Sequence, residues 1–319
     1  MREVKKLFES AISTYGRGAV KTIVLQSFRN YDVPNWLARC MTSVQSWVVD
    51  NGWEYERLDD AFFDFAPVWA RRRCAGNIYA LTDICRLQWL RMQLHRGYER
   101  VIWADADILI FSSVRLDVTT RNGHAFAREL FLSTDREGQV KAIEGINNAL
   151  MVFERNQSVL DTYLTACLER LRSLPAGPVP RTELGPELLA DMANNKPLDT
   201  MNGIGLFTPA IMRQIAFGGG PLTMLSDKLP PGPLGAANLC HFLRNVAAPV
   251  QRSSFDALYD RAVSILIRTG GKVLSQQEQW CKGNNDCQVH SAALPGRTVD
   301  LKPISFFSNL TLSDQEDPV

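Results

Sequence analysis

The sequence predicts an α/β protein built on a mostly parallel sheet, and three observations support that fold class. Short apolar runs alternate with amphipathic helical stretches from Lys21 onward, glycines and prolines punctuate the changes, and no repeat of about 20 to 50 residues competes with that alternation. At 319 residues, 45% hydrophobic and 22% charged, the chain is long and apolar enough to bury a sizeable core.

Lys21 to Ser27 (KTIVLQS) predicts a buried strand. Pro34 to Val49 then sets Leu37, Met41, Val44 and Val48, with Trp36, Cys40 and Trp47, at helical spacing, and Gly52 stops that helix. Trp53 to Leu58 (WEYERL) alternates as a second strand, which makes a βαβ beginning. Gly76 and Asn77 precede a long helix over Ile78 to Gln93, Gly97 marks its end, and Val101 to Ala104 forms the next strand. Leu109 to Phe111, a polar turn-rich segment, a buried strand over Ala149 to Phe153 and a helix from Ser158 to Leu171 follow. From Leu174 the texture is loop-rich (SLPAGPVP, GGGP, PPGPLG) with short helices between. The stretch from Gly218 to Gly235 suits a segment folding back over the carboxyl edge of the sheet. One more helix, Phe255 to Arg268, leads into a polar tail.

Charge and cysteine usage exclude several function classes. A formal net charge of +1, with no basic tract longer than Arg71-Arg72-Arg73, supplies no field for nucleic acid. The first residues lack an apolar core, and no later run approaches the length of a membrane span, so a cytoplasmic protein without a transmembrane segment is expected. Seven cysteines, an odd number, argue against a secreted disulfide framework. Cys281 and Cys287 are spaced too widely for a zinc knuckle and are read as loop thiols, with a local disulfide as the alternative. Asn156-Gln-Ser and Asn309-Leu-Thr match the glycosylation triplet, which carries little weight without a signal peptide.

The chemistry concentrates in Val101 to Phe111, VIWADADILIF, where Asp105 and Asp107 interrupt an apolar run. Residues two apart in extended chain point the same way, and the carboxyl ends of strands are where open α/β sheets bind ligands. Two carboxylates held together repel unless a cation lies between them, and Mn²⁺ or Mg²⁺ with substrate phosphates fits the spacing. The plain alternative is a solvated turn after a strand. Asp83 and Arg86, in ALTDICRLQWL, share a face of the preceding helix. On a helix otherwise lined by Leu81, Ile84, Leu87, Trp89, Leu90 and Leu94, the pair is expected to be partly buried or to face a cleft, where a guanidinium suits a diphosphate or a sugar hydroxyl.

The order ALTDICRL, a strand with DAD, NNALM and GPELL resembles the DXD-containing sugar transferases of the capsular polysaccharide and outer-chain mannosyltransferase type, glycosyltransferase family 32, with glycogenin-like features. The resemblance spans roughly Thr22 to Asn245. It implies a GT-A fold: a catalytic domain over 1–250, with a donor half over 18–115 and an acceptor half over 116–250, and then a C-terminal helix and tail over 251–319. It implies a retaining, metal-dependent hexosyltransferase that uses a nucleotide sugar, UDP-linked rather than GDP-linked, and a glycan or lipid-linked acceptor. Asp105, Asp107 and His241 would hold the metal and act in catalysis. Gln26, Asp83, Arg86, Asp105, Asn147 and Asn148 would contact the donor, and Gly185, Pro186 and Glu187 the acceptor side. Gly, Pro and Glu at those last positions also make an ordinary helix start. His241, in NLCHFLRN, is equally readable as a packed core histidine.

Two departures blur which relative is nearest: His95 to Val101 replaces the usual YGGIY, and no Lys-Pro-Trp follows His241. No nucleophile stands out among Glu144, Glu183 and Glu187. The rivals are a degenerate sugar-nucleotide-binding or scaffold protein and a DxD phosphatase; the second is disfavoured because Leu109 occupies the threonine position of D-x-D-x-T.

Overall fold

The structure, a computed structural model, describes residues 20–74, 77–134, 140–218 and 234–274, with only the backbone described inside 129–144. The Cys281/Cys287 pair, the tail and most of the loop between Gly218 and Gly235 therefore lie outside the described residues. In chain order the elements are β1 (Thr22–Ser27), α1 (Asn35–Asp50), β2 (Glu54–Leu58), α2 (Val68–Arg73), α3 (Ile78–His95), β3 (Arg100–Ala104), β4 (Ile108–Ile110), β5 (His124–Thr134), β6 (Val140–Glu154), α4 (Val159–Ser173), α5 (Pro186–Asn195), β7 (Thr200–Met201), β8 (Ile204–Leu206), α6 (Pro209–Phe217), β9 (Ala236–Asn238), α7 (Phe242–Val246) and α8 (Pro249–Thr269).

A six-stranded sheet runs in the order β2-β1-β3-β6-β5-β7. Its first half is parallel, β1 pairing with both β2 and β3, and β5 with β7 is parallel again, while β6 lies antiparallel to β3 and β5. The α/β class with a mostly parallel central sheet is thus present, flanked by helices. The strand expected over Ala149 to Phe153 is only the buried end of the longer β6, and its partner β5 falls in the stretch expected to be turn-rich.

Period-two alternation decides what each face of the sheet packs against. Ile23 and Leu25 of β1, Val101 and Trp103 of β3, and Met151 and Phe153 of β6 join the apolar cluster containing Ile84, Leu87 and Trp89 of α3 and Tyr163 of α4. The alternate residues Val24, Ile102, Ala104, Leu150 and Val152 pack on the other side with Val44, Trp47 and Val48 of α1. The opposite stripe of α1, with Trp36, Leu37, Cys40 and Met41, meets α6 and α8 in a third cluster. Helix α3 begins where expected because the Asn77 side chain caps it, accepting from the amides of Tyr79 and Ala80.

A small sheet, β4-β9-β8, returns the late chain to the end of β3. β9 pairs antiparallel with β4, placing Asn238 opposite Ile108, and parallel with β8. The turn that feeds this sheet needs a glycine. Gly203 has φ +82°, and a Cβ there would stand 2.2 Å from the Arg115 carbonyl oxygen.

Gly203→Ala is therefore expected to cost about 2 kcal/mol or more in urea denaturation. Gly52→Ala, at φ +67° with nothing within 4 Å of a new Cβ, should lose only about 1 kcal/mol of backbone preference. Equal losses at the two sites would show that the close approach at Gly203 does not matter.

Candidate functional site

A cavity of about 430 Å³ opens at the carboxyl ends of β1 and β3, where Ser27 and Phe28 leave one strand and Asp105, Ala106 and Asp107 leave the other. Asp83, Arg86, Asn147, Asn148, Pro186 and His241 also line it.

Its base is an ion-pair cluster built around Arg86. Odd-numbered residues of β3 face α3, so Asp105, in register with Val101 and Trp103, meets the helix that carries Asp83 and Arg86. One guanidinium nitrogen of Arg86, Nη2, lies 3.2 Å from Asp83 Oδ1. The other, Nη1, lies 3.1 Å from Asp105 Oδ1 and donates to the Asn148 carbonyl at 2.8 Å. The guanidinium also rests over the Trp103 ring at 5.2 Å, and the Trp103 indole N–H donates to Asp105 Oδ1 at 2.6 Å. Both Asp83 and Arg86 side chains are 7% exposed, against 27% for Asp105. The helical pair is thus no solvated surface bridge.

Asn148 locks this cluster from the side. Its Nδ2 donates to Asp83 Oδ1 at 2.8 Å and lies 3.1 Å from the Tyr163 hydroxyl, which donates to the Leu184 carbonyl at 2.8 Å. Gly185 follows directly, and a Cβ there would sit 3.2 Å from Asn148 and 3.3 Å from Asp83. Gly185 thus allows the start of α5 to close on the cluster, with Pro186 at the first helical position. Glu187 accepts from the Thr182 hydroxyl at 2.6 Å, a contact local to the helix start.

Asp107 is held differently. The His241 amide donates to its Oδ2 at 2.6 Å across 134 residues of sequence, and the Leu239 amide donates to its carbonyl at 3.1 Å. The chain bends to do this, with Cys240 at φ 53°. Burial pushes the Asp107 carboxyl up to about 7, the Asp105 charge adds to the rise, and the His241 amide opposes it. Burial likewise raises Asp83 to about 6 against the pull of Arg86 and Asn148, and raises Asp105 against Arg86. Two carboxylates thus contact one guanidinium with a third in its field, and the group that holds Asp107 is an amide rather than a cation.

The His241 ring lines the cavity among aromatic side chains. Its imidazole packs edge-on to Phe28, with ring centres 5.3 Å apart, and lies 5.8 Å from Trp36; among the described residues Nε2 has no hydrogen-bond partner. Burial, then Arg244 and Arg29, push it down to about 4, so the ring is neutral. Among the described residues no group of three His, Cys, Asp or Glu side chains is gathered closely enough to hold a metal without other ligands. What His241 gives Asp107 is its backbone.

Gln26 lies beneath the cavity rather than on its wall. It is fully buried, donates to the Asp105 carbonyl at 3.2 Å and accepts from the Tyr55 hydroxyl at 2.8 Å, and so positions the turn. Asn147 turns inward to accept from the Ala149 amide at 2.7 Å. Glu183 is paired with Arg170 at 2.5 Å, and the side chain of Glu144 lies outside the description. Sequence reasoning missed Trp103, Tyr79, Arg181 and Phe242. Trp103 was legible, since it stands two residues before Asp105 on one strand face; the others belong to separate segments that only the fold joins.

Two oxygen ligands and an excess of negative charge suit a hard divalent cation that completes its shell with water and substrate oxygens. Asp105 and Asp107 are the residues that would hold it.

No family model and no curated protein matches the chain. Among solved structures it is similar to a glycosyltransferase involved in the glycosylation of the major capsid of PBCV-1, at 10% identity and a TM-score of 0.40, over 75% of this chain and 98% of that one. It is also similar to the PaToxG glycosyltransferase, at 11% identity and a TM-score of 0.35, over 83% and 95%. A third likeness is to A197 from STIV, at 12% and 0.25, over 57% and 80%.

Arg86→Met should destabilise the fold by about 3–5 kcal/mol in denaturant titration, because it leaves Asp83 and Asp105 without their shared counter-charge. A loss below about 1 kcal/mol would mean that the cluster is effectively solvated. Asp107 titrates near 7 when folded and near 4 when unfolded, so the folded chain holds more protons between those values and loses stability as pH rises through them. Asp107→Asn keeps the acceptor for the His241 amide but cannot ionise. Its stability relative to the parent should therefore rise between pH 5 and pH 8 in the absence of metal; a constant difference would show that Asp107 is not held in its neutral form.

Proposed function

We propose that the protein is a metal-dependent glycosyltransferase of the GT-A type, retaining anomeric configuration and moving a hexose from a nucleotide sugar to a glycan or lipid-linked acceptor. The observation that carries the proposal is the Asp105/Asp107 pair lining a cavity on the sheet's carboxyl edge, with more negative charge than Arg86 balances. The ordered resemblance of ALTDICRL, DAD, NNALM and GPELL to sugar transferases gives that geometry its substrate class.

Bound Mn²⁺ or Mg²⁺ would supply a Lewis acid for the diphosphate oxygens. The chain's own residues set the stage for it. Asp105 and Asp107 would hold the cation. Arg86 fixes Asp105 in place, and the His241 amide fixes Asp107, so neither carboxylate needs to reorganise when charge develops. Asp83 and Arg86, set in the cavity wall, would border the donor sugar, and Asn148 with Gly185 would keep that wall closed. Phe62, Phe63 and Tyr79 give the cavity apolar and aromatic surface that excludes water from the reacting bond. The base is proposed as uracil rather than guanine on the resemblance alone.

Calorimetry with a panel of UDP- and GDP-sugars, with and without Mn²⁺, tests the proposal. The wild-type chain should bind a UDP-sugar only with metal. Asp107→Asn should weaken that binding on the order of a hundredfold while remaining folded. A wild-type chain that binds none of the panel, or a variant that binds equally well, would overturn the proposal.

A further inference from the structure

Arg181 precedes α5 and lines the same cavity as the ion-pair cluster. Its guanidinium carbon lies 3.5 Å from the centre of the Phe242 ring and 5.5 Å from that of Tyr79. A guanidinium lying over aromatic rings has its faces covered while its five N–H donors point outward in its own plane. No hydrogen bond or salt bridge takes up those donors among the described residues. The other two arginines on the wall are engaged: Arg86 is divided between Asp83 and Asp105, and Arg29 donates to Asp32 at 2.9 Å. Among the described residues, Arg181 is therefore the lining arginine with no acidic partner, whereas Arg29 is held by Asp32 through Nη2 and leaves only its other nitrogens unpaired.

The location of Arg181 says which group it would bind. Phe242, under the guanidinium, directly follows His241, whose amide holds Asp107. The ring that carries the Arg181 guanidinium thus belongs to the residue that follows the one whose amide holds Asp107. A diphosphate held by a cation at that pair keeps unneutralised oxygens, since three carboxylates already outweigh Arg86 and the cation only restores balance. The imbalance grows during transfer: the anomeric C–O bond breaks with its electron pair on the diphosphate, the acceptor hydroxyl oxygen forms the new bond, and its proton leaves to solvent. A planar fork of donors suits such oxygens and gains strength as their charge rises.

Resting on the metal-dependent transfer proposed above, we infer that Arg181 binds the phosphoryl oxygens of the donor and stabilises the departing nucleoside diphosphate. Arg86, spent on two aspartates, is a positioning residue instead.

The test is calorimetric binding of inorganic pyrophosphate, and separately of UDP and GDP, in the presence of Mn²⁺ to wild type, Arg181→Gln and Asp107→Asn. Arg181→Gln should weaken pyrophosphate and the nucleoside diphosphates alike on the order of tenfold, at an unchanged melting temperature. If that variant melts early, Arg181→Met, which keeps an unbranched stem against both rings, replaces it with the same expectation. Undiminished binding by a folded Arg181 variant, with binding lost in Asp107→Asn, would overturn the role of Arg181 and leave the transferase proposal standing. A wild-type chain that binds none of the three probes would overturn both.

Discussion

The guanidinium of Arg86 ties together three elements in one buried cluster: Asp83 on its own helix, Asp105 at the end of β3 and the Asn148 carbonyl on β6. All of this happens where both helical side chains are almost wholly withdrawn from water. Unpaired, any of these charges would be expensive to bury, so each partner stabilises the fold chiefly by preventing the others from being orphaned. Local packing follows from it. The Trp103 ring supports the guanidinium, and α5 comes in over Asn148 because Gly185 has no side chain to keep it away.

Asp107 is the complement of that arrangement. It belongs to the same turn as Asp105 but answers to a different part of the molecule, the segment that returns through β9 and lays two amides on it. An amide fixes a carboxylate without cancelling its charge. The cavity is left with both a fixed acidic group and the donors of Arg181 in its lining, a combination that suits a cation bridged to an anionic ligand better than either alone. Rigidity on both sides matters as much as charge, since groups already in place do not have to move when the substrate's charge shifts.

Much of this was legible one segment at a time. β1, α1, α3 and β3 announce themselves because each has one period of apolar residues, and Asp83 and Arg86 stand out as charges among the apolar residues of the middle of a helix. β5 was not legible, because its described residues mix charged and apolar side chains, and pairing with β6 rather than local pattern makes it a strand. Gly185 read as a helix start, and it is one; that it also makes room for Asn148 and Asp83 depends on a helix about a hundred residues earlier.

The sequence by itself determined the α/β class, the order of the elements and the presence of two carboxylates where a strand ends, because periodicity and turn residues act over a few neighbours. Only the tertiary structure decided which groups face those carboxylates. That Arg86 is shared by its helical neighbour Asp83 and the more distant Asp105, that His241 serves Asp107 through its amide while its ring packs on Phe28, and that Arg181 lies over Phe242 with its donors open are arrangements that join separate segments of the chain. A chain's local pattern records what each residue needs from its surroundings. Which distant residue supplies it is fixed only when the sheet twists, the helices pack and the late strand comes back beside β4.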